Sequence, residues 1–258
     1  MIRVPVRHVI QLLPIVLATV TTVSADVIMK MKVEADVISF PAKGSSSNPC
    51  QVPLPTFRTG DNLVLTLGTD RVRLDGPAVS VILRLDQRRL SFVFPGDKKY
   101  AYLKLPIAYQ KYRSGFQKMA GPDLLQFRLE TLTGPESTSG LGRPAVKYSA
   151  TLANGMRSRW RATFVLTKDF PADPGPAVAL RMALHNLRFS GGGWLDLLPL
   201  AGGLPLLWEE AERQPETEFK YREETVEIEQ RDVAPGTYDV PASYTRLDYD
   251  RDCMLVRY

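Results

Sequence analysis

Residues 80–100 read SVILRLDQRRLSFVFPGDKKY, and this stretch decides the fold. Two runs rich in aliphatic and aromatic side chains, 79–85 and 90–94, are separated by a four-residue stretch that opens with the turn signal Asp86-Gln87. Pro95-Gly96-Asp97 then turns the chain into a strand that carries Tyr100 and Tyr102 on one face. Connections this short join antiparallel neighbours, because a parallel pair needs a crossover of about a dozen residues or more. The segment therefore predicts an antiparallel meander.

The same grammar extends outward. Upstream, residues 63–67 and 71–74 are short strands bounded by Gly68 and Asp75-Gly76. From 27 to 37, Val27, Met29, Met31, Val33, Ala35 and Val37 alternate with Lys30, Lys32, Glu34 and Asp36, the period-two pattern of a half-exposed strand. Between them, residues 40–60 hold Pro41, Gly44, Pro49, Pro53 and Pro55 and read as an insertion loop. Downstream, Pro106 suits the first turn of a short helix that contains Ile107, Ala108, Tyr112, Phe116 and Met119. Residues 124–132 predict a strand joined by a Gly, Pro and Ser-rich loop to a hairpin, 145–152 and 156–167, across Asn154-Gly155. Asn-Gly favours the type I′ turn because both central residues take positive φ.

Pro174, Pro176, Val178, Leu180, Leu184 and Leu187 predict a second helix within 173–189, which contains His185. Strands follow at 204–212, 217–230 and 237–240. The apolar run 194–208 is interrupted by Asp196, Pro199, Gly202-Gly203 and Pro205, so it does not read as one membrane helix. The expected class is mainly β with a few helices: a strongly curved antiparallel sheet, or incomplete barrel, with a helical lid. A β-sandwich, with the helices as peripheral additions, is the alternative.

The chain has 258 residues, 44% of them hydrophobic, with 33 Lys plus Arg against 28 Asp plus Glu. That is enough apolar material for a sizeable core, and it excludes disorder as the main state. Arg3, Arg7 and His8 precede an apolar run from 9 to 20 and a small-residue end at Val23, Ser24 and Ala25. This is the pattern of a secretory signal peptide, so residues 1–25 are expected to be removed, leaving 26–258 as one periplasmic or secreted domain. Removal lowers the formal charge from +5 to +3, too little to argue for nucleic acid. Cys50 and Cys253 either pair as a disulfide in that compartment or stay free; an intact-mass shift on reduction and alkylation decides between the two.

The strand, turn, aromatic strand and Pro-containing turn of 80–100 resemble the lipoprotein-carrier (LolA-like and LolB-like) superfamily. The C-terminal VAPGTYDVPASYTRLDY, residues 233–249, is similar to the family's closing pattern, and 204–233 looks like an uncharacterised exported bacterial branch. The resemblance implies a half-barrel whose helical lid covers an apolar cavity that holds lipid or lipoprotein acyl chains. It also implies an arginine that ties the lid shut, for which Arg71 or Arg73 is the nearest match. The insertion at 40–60 and the Gly191-Gly192-Gly193 segment depart from the compact carrier pattern.

Alternate residues of a strand share a face, so Val33, Leu65, Phe92, Phe94, Tyr102, Trp160 and Phe164 are the candidate cavity liners, or simply core. Methylenes buried there stabilise a bound chain by roughly 0.8 kcal/mol each. The sequence has neither a Gly-x-Ser-x-Gly elbow nor a metal-spaced His pair, and no cofactor, metal or catalytic residue is expected. Asp70, Asp75 and Asp86 sit at turns, and Glu209, Glu210 and Glu212 fall on both faces of a strand, which makes a carboxylate-driven hydrolase the weaker reading. Arg157, Arg159 and Arg161, with Arg143 and Lys147 nearby, form a solvated row or a docking surface for an acidic partner or lipid headgroup. A non-enzymatic carrier is thus the expectation, with an envelope sensor or protein-interaction module as its alternative.

Overall fold

The computed structural model describes residues 25–35, 59–107, 128–153, 159–169, 172–188, 203–213 and 218–247. Strand β1 (Asp26–Ala35) buries Val27, Met29, Met31, Val33 and Ala35 and leaves Lys30, Lys32 and Glu34 in water, as its alternation requires. It is followed by β2 (Asn62–Leu67), β3 (Arg71–Asp75), β4 (Ser80–Arg84), β5 (Arg89–Phe94) and β6 (Lys99–Lys104), an antiparallel meander with short turns. Arg88 and Lys98 take φ of 49° and 51° in the turns before β5 and β6. Then come β7 (Arg128–Gly140), β8 (Arg143–Ala153), β9 (Arg159–Thr167), helix α1 (Gly175–Arg188), β10 (Leu204–Arg213), β11 (Glu218–Arg231) and β12 (Thr245–Arg246).

Among the described residues twelve strands join one strongly curved, unclosed sheet in the order β12-β6-β5-β4-β3-β2-β1-β11-β10-β9-β8-β7. Every pairing is antiparallel except the short parallel contact of β12 with β6. The class is therefore mainly β with a helix on one face, as the sequence patterns imply. The helix-bearing face, here the inner face, buries the β1 residues together with Leu63, Leu65, Val72, Leu74, Val81, Leu83, Leu90 and Phe92. Farther along, Ala150, Leu152, Trp160, Ala162, Phe164, Leu166 and Trp208 continue it.

Two elements depart from the sequence reading. The Gly, Pro and Ser-rich stretch after residue 132 is not a loop but the second half of β7, paired with β8 as far as Gly140↔Arg143. It tolerates proline because β7 is an edge strand and a register shift between Thr133 and Glu136 takes up Gly134-Pro135. Gly134 has φ of 113°, and a Cβ there would lie 2.5 Å from the Lys147 carbonyl oxygen. The hairpin turn is instead Leu141-Gly142, whose φ values of 51° and 72° are the positive pair a type I′ turn needs. Residues 237–240 form turns rather than a strand, closed by Thr237 N–H to Ala234 O (3.1 Å) and Asp239 N–H to Gly236 O (2.9 Å). The first predicted helix beyond Ile107, the Asn154-Gly155 turn, the signal segment, both cysteines and most of the 40–60 insertion lie outside the described residues.

The chain after β11 crosses the outer face as a strap. Tyr238 is buried between Ile82 and Val93, with Val233, Tyr100, Val240 and Tyr244 around them. Its hydroxyl donates to Asp26 Oδ1 at 2.9 Å, and the Arg71 guanidinium carbon sits 4.7 Å from its ring centre. Arg73 donates to the Thr237 carbonyl at 2.8 Å, and Arg84 pairs with Asp239 at 2.6 Å. β12 then lies beside β6 and shortens that open edge. Replacing Tyr238 by Ala should lower unfolding stability by about 3–4 kcal/mol, because an aromatic side chain is lost from a filled site. Tyr238→Phe removes only the hydroxyl and should cost about 1–2 kcal/mol, measured by urea denaturation.

Candidate functional site

Helix α1 begins where Pro174 and Pro176 cannot donate and where Asp173 Oδ1 accepts the Gly175 N–H at 2.9 Å, satisfying one orphan amide of the first turn. Ala177, Leu180 and Ala183 pack into the core over the first half of the sheet, and Val178 and Met182 pack against the Trp160–Phe164 cluster. Positions 177, 180, 181 and 184 lie on one side of a helix, so Arg181 enters this interface among apolar neighbours.

It meets a carboxylate. Glu223 lies midway along β11, opposite Val33 on β1 and Trp208 on β10, and so is fixed from both sides by strand pairing. Arg181 Nη2 donates to Glu223 Oε1, and Nη1 donates to Oε2 at 3.3 Å. The two side chains are 16% and 5% exposed, so the pair is held largely out of water. Tyr221 adds its hydroxyl to Glu223 Oε2 at 2.8 Å. The Arg181 guanidinium carbon lies 5.1 Å from the Trp208 ring centre, while Trp208 Nε1 donates to Glu210 Oε1 at 2.6 Å. Phe164 packs edge-on against Trp208, with centroids 4.5 Å apart. Glu210 is itself buried, on the strand next to Glu223.

The electrostatics follow from this burial. For Arg181, desolvation opposes the charge, but the Glu223 charge and hydrogen bonds outweigh it and lift the pKa above the ordinary arginine value. For Tyr221, burial pushes the phenol well up, and the adjacent Glu223 carboxylate pushes it further. The cluster at neutral pH thus contains a guanidinium, a neutral phenol and an indole donor arranged around two glutamates.

Six of the seven candidate liners face this side: Val33, Leu65, Phe92, Trp160 and Phe164 are buried on it, and Phe94 packs partly buried beside them. Tyr102 does not. It alternates with Ala101 and Leu103, which take the inner face, so its ring points outward between Arg89 and Arg246, whose guanidinium carbons lie 5.6 and 4.3 Å from its centre. Arg71 and Arg73 alternate with the buried Val72 and Leu74 and hold the outer strap; the arginine that fastens the helix is Arg181, on the helix itself. Arg159 and Arg161 are exposed on the outer face, and Arg143 pairs with Asp169 at 3.3 Å; Arg157 lies outside the described residues. Asp75 and Asp86 pair with Arg73 and Arg84, while Glu209, on the outer face, pairs with Arg222. His185 falls within α1.

Arg181, Glu223, Tyr221 and Trp208 were not singled out by motif. The signal for them was a charge out of phase: an arginine in a helix's apolar stripe, and a glutamate on the strand face shared by Tyr221 and Thr225.

Glu223→Gln leaves the guanidinium without its counter-charge and should cost about 3–5 kcal/mol. The Arg181→Met, Glu223→Leu double variant should recover most of that loss, and a double-mutant cycle on urea unfolding measures the coupling. Both Tyr221 and Tyr238 hold their protons above the ordinary phenol value of 10.0, so the unfolded chain loses protons first as pH rises. Their contribution is complete below pH 10.0 and is lost above it; Tyr221→Phe and Tyr238→Phe should each flatten the alkaline fall in unfolding stability.

Among the described residues no helix is long and apolar enough to cross a membrane. No family model matches the chain, and no curated protein is significantly similar to it.

Proposed function

We propose that this protein is an exported, non-enzymatic carrier that shelters an apolar ligand, a lipid or the acyl part of a lipoprotein, between α1 and the inner face of the sheet. The observation that carries the reading is the buried Arg181–Glu223 pair joining the helix to the sheet floor. Two ions removed from water stabilise a fold poorly, and apolar residues of similar volume do as well or better. A pair in that position makes sense as a fastening that opens, because water or a polar head group can replace each partner when the helix lifts. Around it the inner face is apolar, with Val33, Leu65, Phe92, Trp160 and Phe164 suited to hydrocarbon. The likeness of residues 80–100 and 233–249 to the lipoprotein-carrier superfamily points the same way, with the fastening arginine carried by the helix.

Organic extraction of the purified protein, followed by mass spectrometry, should release a lipid in near-stoichiometric amount; a protein that yields none and takes up no acyl probe overturns the proposal. Trp160→Glu puts a carboxylate on the inner face and should weaken binding of a fluorescent fatty-acyl probe by about tenfold or more. Circular dichroism should show the sheet retained. Unchanged binding would remove Trp160 from the site.

A further inference from the structure

The charges of the Arg181–Glu223 cluster are divided unequally between helix and sheet. α1 contributes the cation, Arg181. The sheet contributes groups that surround it: Met31 on β1, Glu223 and Tyr221 on β11, and Trp208 and Glu210 on β10. Those strands are paired on both sides, β11 with β1 and β10, and β10 with β9 and β11. Strand pairing on both sides fixes the backbone that carries the receiving groups.

We propose that this floor is a cation-selective head-group site, filled in the closed form by the chain's own Arg181, and that the external ligand is an amphiphile whose head is a protonated amine or quaternary ammonium. The inference rests on the carrier reading and specifies its ligand. When α1 lifts, Glu223 and Glu210 remain on neighbouring strands among Val33, Phe164 and Trp208, with their guanidinium gone. With two acidic side chains on neighbouring strands, the vacated floor favours a cationic head over an anionic one. An ammonium head can use the two main partners of Arg181: the Glu223 carboxylate as counter-ion, and the face of Trp208 as a cation–π partner. An anionic head would confront both glutamates. The hydrocarbon tail would lie along the apolar inner face, away from the cluster.

The whole chain carries a formal charge of +5, so nonspecific attraction favours anionic amphiphiles, and a preference for cations can only come from a local site. The test compares dodecylammonium, dodecanoate and dodecanol, each below its aggregation limit, binding to delipidated full-length protein by titration calorimetry. Dodecylammonium should bind about tenfold or more tighter than dodecanoate. Arg181→Met removes the internal competitor and should tighten dodecylammonium about tenfold more than it changes dodecanol. Glu223→Gln should abolish the preference.

Equal binding of all three, or tighter binding of dodecanoate, overturns the head-group site and leaves the carrier reading intact. Binding of none overturns both. Loss of dodecylammonium binding in Arg181→Met, with its circular dichroism unchanged, also overturns the proposal, since Arg181 would then be a ligand contact and not an occupant. The wild-type comparison needs no variant, and Arg181→Gln supplies the second substitution if Arg181→Met does not fold.

Discussion

A guanidinium and a carboxylate kept from water between one helix and the centre of a sheet set the terms for the rest of this structure. Desolvation of each ion is expensive, and it is offset only while the other is in place with its hydrogen bonds made. Arg181 and Glu223 meet most of that condition with two guanidinium donors, the Tyr221 hydroxyl and the adjacent Trp208 face, while Arg181 Nε is buried without a partner among the described residues. The helix consequently has one well-specified seat, and leaving that seat is conditional on something else to neutralise the floor. Apolar contacts by Ala177, Leu180 and Ala183 supply the adhesion, and the ion pair supplies register.

The two faces of the sheet solve different problems. Among the described residues the inner face is largely apolar over both halves, with the Arg181–Glu223 pair set into it. The outer face is a lattice of exposed pairs, among them Lys30–Glu227, Arg222–Glu209 and Arg222–Glu224, each worth little to stability but keeping a large surface solvated. Over the meander that lattice gives way to the C-terminal strap, anchored by Tyr238 and by Arg71, Arg73 and Arg84. Both faces of β4 and β5 are covered, which is why Ile82, Ser91 and Val93 are buried as well as Val81, Leu83 and Phe92.

That double burial also explains where sequence reasoning went astray. Period-two alternation says which residues share a face, not which face is inner. Tyr100 and Tyr102 do share one, yet it is the outer face, because Ala101 and Leu103 are the residues that fit beneath the helix side. Similarly, the arginines of the β3 segment could be placed on a single face, but which element they would meet depended on where residues more than 150 positions away cross the sheet, as the Arg73–Thr237 separation of 164 illustrates. Gly134-Pro135 reads locally as a loop, and only the free edge beside β7 lets the strand absorb it as a bulge.

The amino-acid order alone determined the strands of the meander, the helix near 175–188, the apolar phase of β1 and β9 and hence the class of fold, since alternation and turn chemistry act over a few neighbouring residues. Only the tertiary structure decided that β1 pairs with β11 and β2 together, that β11 leads into an outer strap, and that Arg181 finds Glu223. Those outcomes depend on strand order and on which surfaces face each other. Two charges, each out of phase within its own element, become partners only when packing leaves each as the other's way out of an uncompensated burial.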